Sequence, residues 1–389
     1  MRARNLFWAL SLILATTLGA GPPVPKTEAA PRRRIAFFMP RNDVFWKFAG
    51  GFAKAVGEDL PVDLTVYPGN NDSNEYLATI RKSLESAHPP DGILFKNFSN
   101  TGPEIIRLAE KHQVFALNVD EALGEEDALK MGKPREKYRY WVGQITNDDE
   151  EAGYNLANQL IDAAKAKGLV DKQGRVQLVA IAGNPYEGTS SDRITGLQIA
   201  LAQRKDALLN EVVAAYWKEP RGHERLREVL HRYPETRVIW ATNDGMPLGA
   251  SREARKMGLI PNQNLLLGGI GTVGEGMKSL IEGDVTLSAG GNYMAGGWGV
   301  ILMFDYLHGL DFATESAVMR VSLYLFDRPK MARYVNKLGY GEWQRVDFSR
   351  FSKQQNPQLL KYPFGFPVML QQLEGTQPTQ PATALSDAQ

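Results

Sequence analysis

Two short loops of this chain combine polar and aromatic residues directly after apolar runs. Residues 42–46 have the sequence Asn-Asp-Val-Phe-Trp, and residues 241–245 have the sequence Ala-Thr-Asn-Asp-Gly. Carboxylate and amide groups offer hydrogen-bonding atoms in a fixed plane, and aromatic rings offer flat apolar faces. In open α/β sheets, small ligands bind in loops of this kind at the carboxyl ends of strands. The two loops therefore predict a protein that binds a small polar ligand.

Other motifs with chemical meaning are weaker. Residues 269–274 have the sequence Gly-Ile-Gly-Thr-Val-Gly, a pattern that can hold a dinucleotide, but they come late in the chain rather than in a first βαβ unit. The five histidines are scattered without metal-ligand spacing, and the sequence has no nucleophile elbow, zinc motif or phosphate loop. We therefore expect no enzyme activity, no metal and no cofactor. An exported hydrolase or dehydrogenase stays open as the alternative, because a missing motif is a weaker argument than a present one.

Alternating strand and helix patterns place both loops in α/β units. Near-continuous apolar runs, typical of strands buried on both faces of a parallel sheet, alternate with amphipathic segments. The runs of the first half lie at 34–39, 62–66, 92–95 and 114–118. After a charged connection at 121–137 the alternation begins again, with runs at 176–181, 212–216, 238–241 and 265–267. This repetition predicts an α/β protein with two successive sheets.

The two ends of the chain and its composition indicate an exported protein. Arg2 and Arg4 precede an apolar stretch at 6–18 that is too short for a membrane span, so we expect a signal peptide and linker over 1–30. An uncleaved N-terminal anchor is the alternative. The Thr-, Gln-, Pro- and Ala-rich stretch at 374–389 predicts a disordered tail. The chain has no cysteine, and its net charge of +1 without long charge blocks shows no surface for nucleic acid or an anionic membrane.

The order of motifs over residues 34–325 resembles that of the type I periplasmic sugar-binding proteins, close to the ribose- and galactose-binding group and the autoinducer-2 receptor. Residues 35–38 lead into the aromatic loop as the family's opening strand leads into its ligand loop. Residues 92–97 resemble the strand whose final Asn contacts the ligand, and residues 114–120 resemble the strand that ends in a ligand Asp. The first half of the chain therefore matches three family segments in order.

The second half of the chain follows the same family order. Residues 188–193 match the segment that carries a ligand Arg, Trp217 falls where the family places a second stacking aromatic, and residues 240–244 match the Asn-Asp loop. No single motif is specific, but six in register are. The resemblance implies two Rossmann-like lobes with parallel sheets, joined by a three-strand hinge. We place the hinge crossings near Ile145, Gly290 and Val321.

The resemblance also implies the division of the chain. The first lobe would comprise residues 31–145 plus 290–321, and the second lobe residues 146–289 plus 322–373. The segment from residue 328 onward exceeds the family's short C-terminus, and we expect it to cap a lobe or to meet a partner.

The resemblance and the chemistry of sugars together assign the site residues. A polyhydroxylated ligand needs flat aromatic rings against its C–H faces and planar polar groups for its hydroxyls. The residues that we expect to bind the ligand are Asp43, Phe45, Trp46, Asn97, Asp120, Glu121, Arg193, Trp217, Asn243 and Asn292. Core packing of the aromatic residues, capping by Asn97 and Asn243, and a surface ion pair of Arg193 stay open as alternatives.

Two positions depart from the family pattern. Its sugar binders usually carry an Arg directly after the first-lobe Asp and an Asp in the loop after the strand at Gly268, where this chain has Glu121 and Gly271. The crossing near Gly290 also lacks the ribose-type Gln. The resemblance therefore implies a sugar or sugar-like ligand without fixing a simple monosaccharide.

The sequence thus predicts a monomeric periplasmic solute-binding protein that closes on a small carbohydrate-like ligand and presents it to the membrane permease of an ABC importer. A receptor that signals to a membrane sensor kinase or cyclase is the alternative. Transcriptional regulators of the lactose-repressor kind share the fold, but they carry an N-terminal helix-turn-helix where this chain has its apolar stretch.

Overall fold

The computed structural model describes residues 32–374 of the chain. The expected signal peptide and linker at 1–30 and nearly all of the expected tail lie outside them. Glu374 is described: it follows the last helix and pairs with Arg333, with 2.5 Å between Oε2 and Nη2. Within the described range, none of the helices combines the length and the apolar character that a membrane span needs.

Twelve strands and twelve α-helices alternate along the described chain. The strands are β1 (Arg33–Phe38), β2 (Val62–Tyr67), β3 (Gly92–Phe95), β4 (Phe115–Asp120), β5 (Trp141–Asn147), β6 (Val176–Ala182), β7 (Ala207–Ala214), β8 (Val238–Ala241), β9 (Leu266–Gly271), β10 (Leu287–Gly290), β11 (Val318–Val321) and β12 (Tyr324–Phe326). The helices are α1 (Val44–Asp59), α2 (Ser73–Leu84), α3 (Gly102–His112), α4 (Glu125–Met131), α5 (Asp149–Ala166), α6 (Gly188–Ala202), α7 (Glu219–Arg232), α8 (Gly245–Lys256), α9 (Glu275–Glu282), α10 (Ala295–Leu307), α11 (Arg328–Leu338) and α12 (Phe366–Leu373).

The strands form two six-stranded sheets. The first has the order β11-β5-β4-β3-β1-β2 and the second the order β12-β10-β9-β8-β6-β7. Neighbouring strands are parallel except for β12, which runs antiparallel to β10 at the edge of the second sheet. The chain passes between the sheets after β5, after β10 and between β11 and β12. This architecture confirms the predicted fold class of two parallel-dominated α/β lobes.

Helices cover both faces of each sheet, which explains the near-continuous apolar runs of the strands. All residues of β3, β6 and β8 are buried. In the first lobe α1 and α10 pack on one face, where Phe52 and Trp298 meet edge to face with ring centroids 5.1 Å apart. Burial of these rings stabilises the lobe that carries the aromatic loop.

The segment after β12 packs differently from the expectation that grouped it with the second lobe. The rings of Trp343 and Phe348 pack against Phe52 on α1, each with centroids 5.2 Å apart. Buried Asp305 on α10 accepts a hydrogen bond from the Tyr362 hydroxyl at 2.9 Å. Helix α11 also contacts α9 of the second lobe. The segment after β12 thus covers the apolar face of α1 and α10 and also contacts the second lobe.

Candidate ligand-binding site

A cavity of about 440 Å³ opens between the carboxyl ends of the two sheets. The loops after β1, β3 and β4 and the crossing after β10 line it from the first lobe, and the loops after β6, β7, β8 and β9 line it from the second. All these loops follow parallel strands, so their side chains meet at facing sheet edges. The loops at residues 42–46 and 241–245 lie on opposite sides of this cavity.

Most of the expected ligand residues line this cavity. They are Asp43, Phe45, Trp46, Asp120, Arg193, Trp217, Asn243 and Asn292. Two expected residues do not line it. Asn97 donates from Nδ2 to the Ala122 carbonyl at 2.9 Å and accepts the Gly102 N–H at 2.9 Å, so it holds a loop and the start of α3. Its role is therefore the capping role that had stayed open.

Glu121 is the second expected residue that lies outside the cavity lining. Its Oε1 accepts the backbone N–H of Gly188 at 2.9 Å, and its Oε2 lies 2.7 Å from Lys96 Nζ. The carboxylate is thus engaged by a second-lobe backbone group and by a buried cation. We correct its assignment from a ligand contact to a contact between the lobes.

Several residues that line the cavity were not among those predicted from the sequence, chiefly Arg41, Lys96, Thr189 and Asp244. Lys96 could have been recognised from the sequence, because a lysine directly after the buried run at 92–95 is unusual unless its charge is paired. Asp244 stood in the quoted Asn-Asp loop but was not assigned to the site.

The first-lobe aromatic residues are positioned by the start of α1. Asp43 is the N-cap residue, and its carboxylate accepts the Trp46 backbone N–H at 3.1 Å. This capping fixes the first helical turn, which carries Phe45 and Trp46 with ring centroids 5.3 Å apart and planes at 86°. Trp46 is only 2% exposed, so it also packs in the core, which was the alternative role for the aromatic residues.

Trp217 is positioned by Asn243 in the second lobe. Asn243 Nδ2 donates to the Trp217 carbonyl at 3.0 Å, and its Oδ1 accepts the Met246 N–H at 2.9 Å. Trp217 has a backbone φ of 66°, and Asp120 across the cavity has a φ of 71°. Left-handed backbone at non-glycine residues costs free energy and clusters at ligand sites. Asn243 therefore stabilises the unusual conformation that presents Trp217.

Lys96 is a buried cation shared by two carboxylates. It is 2% exposed, and its Nζ lies 2.8 Å from Asp120 Oδ2 and 2.7 Å from Glu121 Oε2. Burial lowers the pKa of Lys96, but the nearby carboxylates outweigh it and hold that pKa above its ordinary value. Lys96 therefore stays protonated at the first-lobe face of the cavity.

Arg193 is a buried cation on the second-lobe face. It is 3% exposed, its Nε and Nη2 lie 2.7 Å from Asp149 Oδ1, and its Nη1 donates to the Thr242 carbonyl at 2.5 Å. Burial raises the pKa of Asp149 to about 6, although Arg193 opposes the rise. Arg193 thus forms an ion pair, as the open alternative proposed, but the pair is buried and not on the surface.

Four buried polar atoms of the cavity-lining residues have neither a hydrogen-bond partner nor an ion-pair partner within the described chain. They are Trp46 Nε1, Thr189 Oγ1, Trp217 Nε1 and Asn292 Oδ1. Burial of an unpaired polar group costs roughly 1–3 kcal/mol. A ligand with hydroxyl groups can pair such donors and acceptors.

The two faces of the cavity also contact each other directly. Arg41 of the first lobe lies 3.1 Å from Asp43 and, across the cavity mouth, 3.6 Å from Glu187 of the second. Together with the bond between Glu121 and Gly188, this ion pair shows a closed arrangement of the lobes.

Comparisons with known proteins agree with this architecture. The family model described as a periplasmic binding protein domain matches residues 35–311. The D-allose-binding periplasmic protein of Escherichia coli (strain K12) is 24% identical over 255 residues, which cover 65% of this chain and 76% of that protein. The HTH-type transcriptional regulator AscG of the same strain is 27% identical over 123 residues, and the chain spans only 34% of its length.

Solved structures show the same fold. A periplasmic sugar-binding protein from Pseudomonas fluorescens matches with a TM-score of 0.76 and 28% identity, covering 87% of this chain and 98% of that one. A solute-binding protein from Actinobacillus succinogenes 130z with bound D-allose matches with a TM-score of 0.66 and 18% identity, covering 78% of this chain and 100% of that one. Because the family model also spans more than half of the chain, this protein belongs to the periplasmic binding protein family, with the type I sugar-binding architecture.

Proposed function

We propose that this protein is the monomeric, periplasmic solute-binding component of an ABC importer and that it binds a carbohydrate-like ligand in the cavity between its lobes. The observation that carries the proposal is the set of unpaired buried polar atoms beside the rings of Trp46 and Trp217. A sugar would pair those atoms through its hydroxyls and cover the rings with its C–H faces. Relatives named for D-allose binding support the carbohydrate class.

Closure of the lobes is the proposed mechanism. The first lobe offers Trp46, Asp120 and Asn292 to the cavity, and the second lobe offers Arg193 and Trp217. A ligand that contacts both faces stabilises the closed state by its differential affinity for that state. The hinge crossings allow the lobes to open and release the ligand to a membrane partner.

A signalling receptor is the second candidate. The segment after β12 supports it, because this segment adds a surface that touches both lobes and so changes when they move. A sensor kinase or cyclase that contacts this surface could respond to closure without taking the ligand.

The first experiment measures the thermal stability of the protein from residue 32 onward with D-allose, D-galactose, L-arabinose, myo-inositol and sugar acids. A ligand at 100 times its Kd adds about 2.7 kcal/mol of stability, so a true ligand raises the Tm clearly. We expect a shift with one carbohydrate class. No shift with any carbohydrate would contradict the proposal. Cross-linking to membrane proteins with and without that ligand then distinguishes a permease from a sensor.

A further inference from the structure

Asp244 differs from the other acidic residues that line the cavity. The others each have a cationic partner: Asp43 and Glu187 pair with Arg41, Asp120 pairs with Lys96, and Glu219 and Glu275 pair with Arg252. Asp244 forms no ion pair within 4 Å in the described part of the chain. Its side chain is also buried, with 8% of its surface exposed.

The carboxyl group of Asp244 lies against bare backbone. Its Oδ2 accepts the Val273 N–H at 3.0 Å. A Cβ atom at Gly271 would lie 2.5 Å from Oδ1, and a Cβ atom at Gly276 would lie 2.0 Å from Oδ2. Both positions must therefore lack a side chain for Asp244 to occupy this place. Asp244 thus occupies the space that a side chain at Gly271 would need.

No cation of the cavity lining is free to neutralise Asp244. Arg41 is shared by Asp43 and Glu187. Lys96 is likewise shared by two carboxylates, and Arg193 is held by Asp149. Backbone N–H groups hydrogen-bond this carboxylate, but a buried carboxylate without an ion pair remains costly unless a charge of opposite sign reaches it.

The titration of Asp244 agrees with a missing counter-charge. Burial raises the pKa of Asp244 to about 6, against the opposing effects of the backbone N–H groups of Val273, Asp244 itself and Thr272 and of the Arg193 charge. The charged groups around it are Arg193 on α6, held by Asp149 on α5, and the cavity-lining residues Glu219 on α7 and Glu275 on α9. Both glutamates pair with Arg252 on α8, so the charge of Arg252 is already neutralised by them.

From this arrangement we infer that the ligand carries a protonated amino group that binds against Asp244, so that the carbohydrate is an amino sugar. The inference rests on the proposed function, because it names the ligand class for the same cavity. An ammonium group donates up to three hydrogen bonds and supplies the charge that the protein does not. A sugar acid would instead meet an uncompensated carboxylate.

Calorimetric titration of matched sugars tests the inference. D-Glucosamine, D-galactosamine and D-mannosamine are each compared at pH 7.5 with the parent hexose, and D-glucuronic acid serves as the anionic probe. We expect the best amino sugar to bind at least tenfold more tightly than its parent, and the acid not to bind. If a parent hexose binds as tightly as its amine, the inference is wrong and the proposed function stands. If neither these sugars nor the wider carbohydrate panel binds, the proposed function fails as well.

The substitution Asp244→Asn assigns the effect to one residue. Asparagine keeps an acceptor for the Val273 N–H, and we expect it to reduce amino-sugar affinity to that of the parent hexose. Glu228→Gln is the matched control, since it removes one negative charge from an exposed residue paired with Arg225. An Asp244→Asn protein that folds and retains the preference for the amine would overturn the inference.

A proton measurement on the unsubstituted protein keeps the inference testable if the variant does not fold. At pH 6 a bound ammonium group lowers the pKa of Asp244, so binding releases a proton. Titration in buffers of different ionisation enthalpy detects that release. The pKa of Asp149 lies in the same range. The parent hexose would meet the same Arg193 face, so it serves as the control for proton release from Asp149. Equal proton release by amine and parent would contradict the inference.

Discussion

The two faces of the cavity balance their charges in different ways. On the first-lobe face, Lys96 is fixed between Asp120 and Glu121, so the charged groups there have partners within the protein. On the second-lobe face, Asp244 has no ion pair within 4 Å, as far as residues 32–374 show. Unpaired polar atoms lie on both sides, Trp46 Nε1 on the first-lobe face and Thr189 Oγ1 and Trp217 Nε1 on the second. The charges of the first face are thus paired within the protein, whereas the second face leaves a carboxylate without a cation.

The difference indicates that the first-lobe face contributes mainly to stability and the second-lobe face mainly to ligand recognition. A buried charge network that is complete within the protein stabilises the apo state, and its disruption leaves unpaired charges. Groups without partners destabilise the apo state and gain partners when a ligand binds. We therefore expect substitutions on the first-lobe face to affect folding most and substitutions on the second-lobe face to affect binding most.

The largest effect should follow the loss of the Lys96 charge. Lys96→Met leaves Asp120 and Glu121 buried side by side without a cation, and breaking a buried ion pair costs about 3–5 kcal/mol. Urea unfolding at pH 7.5 measures this loss, and Lys96→Arg should recover much of it. A methionine variant within 1 kcal/mol of the native protein would show that the first-lobe face is not held by this network.

The substitution Trp217→Ala should instead reduce binding by at least a hundredfold, about 3 kcal/mol, because an aromatic stacking face of the cavity is lost. The unfolding free energy should fall by less than in Lys96→Met, since Trp217 is only half-buried. Calorimetry with the ligand found in the panel provides the measurement. Tyr186→Ala, at a strongly exposed residue of the same lobe, is the control. Normal affinity with a much lower Tm would make Trp217 a core residue.

The pH dependence of stability separates the faces further. The raised pKa of Asp244, about 6, means that the folded protein binds this proton more tightly than the unfolded chain does. Stability due to this group therefore rises as pH falls from 8 to 5. Asp244→Asn should be more stable than the native protein at pH 8 by roughly 2–3 kcal/mol, since each pKa unit is worth about 1.4 kcal/mol. The difference should fall to about half near pH 5 and nearly vanish near pH 4, where an Asp of the unfolded chain titrates. A constant difference would rule out titration of Asp244.

Asn97 lies next to Lys96 in sequence and tests the boundary of the first-lobe face. Because Asn97 bonds Ala122 and Gly102 outside the cavity, Asn97→Ala should cost about 1–2 kcal/mol of stability. Ligand affinity should change less than threefold by calorimetry. A tenfold loss of affinity with unchanged stability would restore the ligand role that the sequence predicted for it.

The sequence predicted most strands well because their apolar runs are nearly continuous. The run at 34–39 corresponds to β1 (Arg33–Phe38), and the run at 92–95 corresponds to β3 (Gly92–Phe95). The edge strand β7 (Ala207–Ala214) was placed at 212–216 instead, since it is only partly buried and its apolar signal is weak. Strand β2 (Val62–Tyr67) is also only partly buried, yet its apolar run at 62–66 was placed to within one residue.

The site was predicted less completely because spacing alone does not give side-chain direction. Successive side chains at a strand end point to opposite sides, so a ligand position displaced by one residue exchanges Asn97 for Lys96. Asp244 was missed for a different reason: its place depends on the empty space above Gly271 and Gly276, which come together only in the fold. The aromatic residues after β12 likewise do not reveal which lobe they cover.

The smallest effect is expected where the two faces meet. Arg41 lies 3.6 Å from Glu187, and both side chains retain some exposure, so water and salt weaken their attraction. Glu187→Gln should reduce ligand affinity only a few-fold, at a cost below about 1 kcal/mol, by removing one contact that favours the closed state. The loss should disappear above 0.5 M salt, where the native pair is itself screened. A larger, salt-independent loss would mean that Glu187 binds the ligand directly rather than holding the lobes together.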